Sequence, residues 1–146
     1  MSLYGRDDLE WDQLTEAGTT FLVERARLGK VTTYTELNVT LERRTGLSPF
    51  DFDLPAERAA MGHLLGLIVL RDQERDRERD PAGPRLMLSA LVHYLGENDA
   101  GSGFYALAKD LGLLPPKASK AAKEEFWIRQ ITALYERHGA TRIRRT

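Results

Sequence analysis

Apolar residues recur at helical spacing from about residue 8 to 28, through Leu14, Gly18, Phe21, Leu22 and Ala26, which predicts a first helix. Gly29 follows as the glycine that ends it. Val31 and Thr32 then read as a short extended link, and Thr33 with Glu36 has the T-x-x-E spacing of a capping box. A second helix is therefore predicted from Tyr34 to near Gly46. "LSPFDFDLP" reads as a loop, with Asp53 expected as the cap of a third helix and Pro55 in its first turn. Ala60, Met61, Leu64, Leu65 and Ile68 give that helix its apolar face.

The pattern then changes. "RDQERDRERD" holds four basic and five acidic residues and no apolar face, so it reads as a solvated extension that ends at "DPAGP". "RLMLSALVHYL", residues 85–95, is apolar on both parities and predicts the main buried strand, paired with a short one around Val31. "GENDAGSG" is a glycine-rich turn. Phe104, Leu107, Ala108 and Leu111 predict a short helix closing at Gly112, and "LLPPK" is a linker. A last helix is expected from Ser119 to His138, with Trp127, Ile128, Ile131, Leu134 and Tyr135 on its packing face and Gly139 as its stop. The expectation is a mainly α, minor β fold. Residues 1–114 form its core, and 115–146 a linker, a C-terminal helix packing on that core, and a basic tail.

Composition narrows the chemistry. The 146 residues contain no cysteine, which excludes disulfides, thiolate metal sites and a cysteine nucleophile. No apolar run approaches the roughly 18 residues of a membrane helix, and the first residues lack a signal-peptide pattern, so a cytoplasmic protein is expected. The net charge of −1 conceals an imbalance, because residues 1–70 carry 7 basic and 11 acidic side chains, whereas 117–146 carry 8 and 3. A basic end can meet an anionic partner, and it can equally be a solvated helix with a frayed tail.

His63, His93 and His138 show no metal-ligand spacing. His63 on an apolar face reads as a core or boundary residue, and Trp127 with Tyr135 as packing. Glu97 and Asp99 do not sit at calcium-loop spacing. No phosphate-loop glycine pattern is present, so no cofactor or metal is expected. On a strand, Ser89 and His93 would share a face but lie roughly 13 Å apart by strand rise, too far for a nucleophile and its base.

Four stretches together resemble the C-terminal winged helix-turn-helix domain of alkylguanine-DNA alkyltransferases and of alkyltransferase-like proteins. They are Gly29-Lys30-Val31-Thr32-Thr33-Tyr34, Ala59-Ala60-Met61-Gly62, Leu88-Ser89-Ala90-Leu91-Val92 and Gly101-Ser102-Gly103-Phe104-Tyr105. The resemblance spans about residues 10–114. The "MLSALVH…GSGFYALAKDLG…EFW" half is also similar to a set of uncharacterised bacterial proteins.

The resemblance implies a winged-helix domain that contacts double-stranded DNA through Thr32, Thr33 and Tyr34, with Lys30, Arg43, Arg44 and Arg58 as candidate phosphate contacts. The family's cysteine nucleophile lines up with Ser89, and Ala90 and Leu91 stand in its His-Arg places. Its duplex-propping arginine lines up with Ala59, and its asparagine before the strand is absent. A lone serine needs an adjacent base to attack anything, so no catalytic residue is assigned and alkyl transfer is rejected. Two functions follow as expectations: a non-catalytic DNA-binding protein, such as a regulator or accessory factor in defence against foreign DNA, and a protein-interaction module or homodimer that keeps the fold without the DNA surface.

Overall fold

A computed structural model describes residues 2–93 and 102–139, apart from the Ser102 side chain. The chain is mainly helical, with a minor β component. A hairpin opens it, β1 (Ser2–Leu3) pairing antiparallel with β2 (Arg6–Asp7) across a turn in which Tyr4 and Gly5 both take positive φ. Sequence periodicity does not anticipate this short hairpin. The Trp11 indole N–H donates to the Leu3 carbonyl at 3.0 Å, which pins it to the first helix.

Helix α1 (Asp8–Leu28) begins with a reciprocal capping box between Asp7 and Glu10 and ends at Gly29, whose φ of 66° is left-handed. Thr32–Thr33 forms β3. Helix α2 (Tyr34–Thr45) starts where the Thr33 hydroxyl accepts from the Glu36 N–H at 3.0 Å, and ends at left-handed Gly46. The Glu36 side chain does not complete the expected capping box. Its carboxylate accepts from the Thr32 hydroxyl and faces Arg25 at 3.8 Å. In the loop to the third helix, Asn38 exchanges two hydrogen bonds of 2.8 Å with the backbone of Phe50.

Helix α3 (Pro55–Arg79) corrects two expectations. Its N-cap is Leu54, which makes no side-chain cap, and Pro55 occupies the first turn; Asp53 therefore does not cap it. The helix also runs through the charged stretch to Arg79, because that stretch finds partners on α1. Arg71 meets Asp12 at 2.7 Å and Arg75 meets Glu16 at 2.6 Å. Asp72, Gln73 and Asp76 are buried within it. Nearer its start, α3 lies tightly on α1, where a Cβ on Gly18 would stand 2.6 Å from Ile68 Cδ1.

The expected strand over 85–95 does not form. Leu88–Leu91 is a 3₁₀ turn, and among the described residues of this span strand pairing is confined to Val92–His93 (β4), which runs parallel to β3 so that Thr32 faces Val92 and Thr33 faces His93. Every residue from Leu86 to Val92 is buried, as the apolar run requires, but helices α1 and α3 and the C-terminal helix surround it where neighbouring strands would be. Side chains replace the missing ladder. Gln73 donates to the Leu86 carbonyl at 3.0 Å, Gln130 Oε1 accepts from the Met87 N–H at 2.7 Å, and the Trp127 indole donates to the Ala90 carbonyl at 2.8 Å.

Helix α4 (Ser102–Asp110) closes before left-handed Gly112. Helix α5 (Lys120–Arg137) starts at Ser119, as expected, and packs Leu134 and Trp127 on the core. Among the described residues no antiparallel wing follows the helices. The glycine-rich turn with Glu97 and Asp99, the end of the expected strand, and the basic tail with Arg142, Arg144 and Arg145 lie outside the described residues.

Candidate functional site

The turn between α1 and α2 and the first half of α3 form the surface to which the sequence assigns partner contacts. Thr32 is buried, and its hydroxyl is spent on Glu36. Thr33 caps α2, and half-buried Tyr34 turns toward a pit beside α3. Lys30 and Arg43 are exposed and have no side-chain partner among the described residues. Arg58 is exposed and donates to the Phe52 carbonyl at 2.6 Å.

Arg44 differs from these. It grips Glu24 with two hydrogen bonds of 2.7 and 3.1 Å and stands 5.3 Å from the Phe21 ring. That pairing lowers the Glu24 carboxyl and raises the Arg44 guanidinium from their ordinary values, so Arg44 is largely neutralised within the fold.

The nearby acids divide in the same way. Glu57 forms a doubly bonded pair with buried Arg6 at 2.9 and 3.0 Å, and the Arg6 hydrogen bonds hold its carboxyl below the usual range. Glu36 serves the turn. Glu42, Asp51 and Asp53 are exposed, with no cation bound to them among the described residues. The unengaged charges in this region are thus three cations, Lys30, Arg43 and Arg58, against three acids.

At the centre lies a pit of about 100 Å³ between α3, α4 and the start of α2. Gly62, Gly66 and Gly103 line its wall with bare backbone, and a Cβ at any of them would meet nothing within 4 Å. Ser89 also lines it, 3 % exposed, with an Oγ that has no hydrogen-bond partner. Its described walls leave room for about three waters at ~30 Å³ each. Among the described residues no histidine, lysine or carboxylate lines it, so none of them is placed there to activate the Ser89 hydroxyl. The 3₁₀ turn also removes the strand geometry that would have put Ser89 and His93 on one face.

A second polar cluster escapes a reading of the sequence, because its members look like one solvated charge run. Asp72, 3 % exposed, sits one helical turn before Asp76 on α3. Asp76 pairs with Arg79 at 2.8 Å and with Arg137 of α5 at 3.1 Å. Burial, with the charge of Asp76 adding to it, pushes the Asp72 carboxyl up to about 6. His138 closes the cluster from the end of α5, and burial holds its imidazole below the ordinary value. The alternation of acid and arginine along 71–80 was visible; the helical register that turns Asp72 and Asp76 inward was not.

His63 stacks edge-on against Trp11 at 4.8 Å, a boundary role as its position suggested. No group of three His, Cys, Asp or Glu side chains among the described residues is placed to hold a metal ion. No helix among them is long and apolar enough to cross a membrane. Comparison with protein-family models, with curated proteins and with solved structures finds no match to this chain.

Proposed function

We propose that the chain is a non-catalytic DNA-binding module, of a kind suited to a regulator or an accessory factor in defence against foreign DNA. One observation supports this best. In its first half α3 presents small residues, exposed Ala59 and Gly62 and half-buried Gly66, and the two glycines line the pit beside Tyr34. A helix without bulky side chains lets a sugar-phosphate strand approach its backbone closely, while Lys30, Arg43 and Arg58 are the cations left to meet phosphates.

The charge count sets the expected strength. Three phosphate contacts give a slope of about −2.7 in log K against log salt on duplex DNA, a shallow dependence with modest affinity. Fluorescence anisotropy of a labelled duplex across a salt series measures it. A slope near zero, or no binding at low salt, contradicts the proposal. Glu42, Asp51 and Asp53 on the same region favour a second reading, a protein partner with a basic surface, and a salt-steep interaction with such a protein in place of DNA is its signature.

A further inference from the structure

An open cleft of about 500 Å³ separates α1 from the second half of α3 and the end of α5, away from the α2–α3 face. Most of the charges around it are already used. Glu24 is held by Arg44, Arg75 by Glu16 at 2.6 Å, and Arg79 by Asp76 at 2.8 Å. What remains unpaired among the described lining residues is Asp72, Glu78 and Arg27, a balance of one negative charge.

Asp72 is the unusual member. It is 3 % exposed, lines the cleft, and has a carboxylate oxygen, Oδ2, without a hydrogen-bond partner. His138, on a different element, contributes a second orphan at the same cleft, its buried Nε2. A buried polar atom left unsatisfied costs about 1–3 kcal/mol, and two at one opening call for a complementary partner.

We infer that this cleft is a binding site for a compact organic cation bearing N–H donors, an alkylammonium or guanidinium group, received by the Asp72 carboxylate and flanked by Glu78. A divalent metal does not fit, since no trio of ligating side chains is placed to hold one among the described residues. A small anion fits less well, because Arg75 and Arg79 are engaged by carboxylates and the one remaining lining cation, Arg27, is outnumbered by the unpaired Asp72 and Glu78. An N–H cation supplies what the site lacks, since a charge-assisted bond to a desolvated carboxylate is among the stronger hydrogen bonds available. The exposed Thr20 hydroxyl on α1 completes the rim. This site is independent of the DNA proposal, and neither stands on the other.

The test uses methylguanidinium, with tetramethylammonium as a cation of equal charge and no N–H donor, both at constant ionic strength. Binding is followed by NMR shifts at Thr20, Asp72 and His138. Saturable shifts with methylguanidinium but not with tetramethylammonium are expected. Asp72→Asn should weaken the dissociation constant by roughly tenfold or more. Glu78→Gln, at an exposed position that the fold does not need, should weaken it by a smaller factor. Equal response to the two cations, unchanged binding in Asp72→Asn, or no saturable shift overturns the inference.

Discussion

Ser89 and Asp72 are both buried polar residues without a full set of partners, and they predict opposite kinds of experiment. The Ser89 hydroxyl has no hydrogen-bond partner among the described residues, so Ser89→Ala should leave DNA binding unchanged and stability equal or slightly higher in urea unfolding. A covalent adduct on Ser89 after incubation with alkylating or acylating substrates, seen by mass spectrometry, would reverse the non-catalytic reading. Asp72 carries a pH signature. Its folded pKa of about 6 stands above its unfolded value, so the fold disfavours the charged form. Stability associated with it is present at low pH and is lost as pH rises toward and through 6, a difference of about 3 kcal/mol. Asp72→Asn should therefore raise the melting temperature at pH 7–8, with the gain vanishing below about pH 4. His138 acts in the opposite direction, because its lowered pKa removes stability as pH falls below its ordinary value, and a His138→Gln background separates the two.

At the scale of elements, the Leu86–Val92 segment shows what sequence periodicity can and cannot read. Its burial was legible in seven successive buried residues; its conformation was not. An apolar run on both parities fits any segment threaded through a core, and the decision between strand and turn rests on what surrounds it. Here the neighbours are helices, and the amides of Gln73 and Gln130, 13 and 43 residues away in sequence from their bonding partners, satisfy its backbone. Gln130→Ala should orphan the buried Met87 N–H and cost about 1–3 kcal/mol in denaturant unfolding, with no change of slope in an intact fold. Gly18→Ala should force the buried Ile68 δ-methyl out of its place, a packing cost of about 1–3 kcal/mol that a helix-propensity gain of about 1 kcal/mol partly offsets. By contrast, the boundaries of α1, α2 and α5 were readable, because Gly29, Thr33, Gly46 and Ser119 act locally as caps. The reach of α3 to Arg79 was hidden, since the acids that hold its arginines lie on α1.

For the whole molecule, the same distinction governs the candidate surface. Residue types at the α1–α2 turn and on α3 could be read from the chain, but which charges stay free could not. Arg44 looks equivalent to Arg43 in "LERRTG", yet the helical register points it at Glu24 and leaves Arg43 in solvent. The DNA proposal therefore stands on Lys30, Arg43 and Arg58 and excludes Arg44. Comparison of two double variants in duplex binding over a salt series measures this directly. Arg43→Ala with Arg58→Ala should weaken binding and flatten the log–log slope by about two phosphate contacts. Arg44→Ala with Glu24→Ala removes a pair neutralised within the fold and should leave the slope as it is in the unaltered chain. Equal slopes in both double variants and the unaltered protein, or no duplex binding at low salt, would contradict DNA recognition by this face.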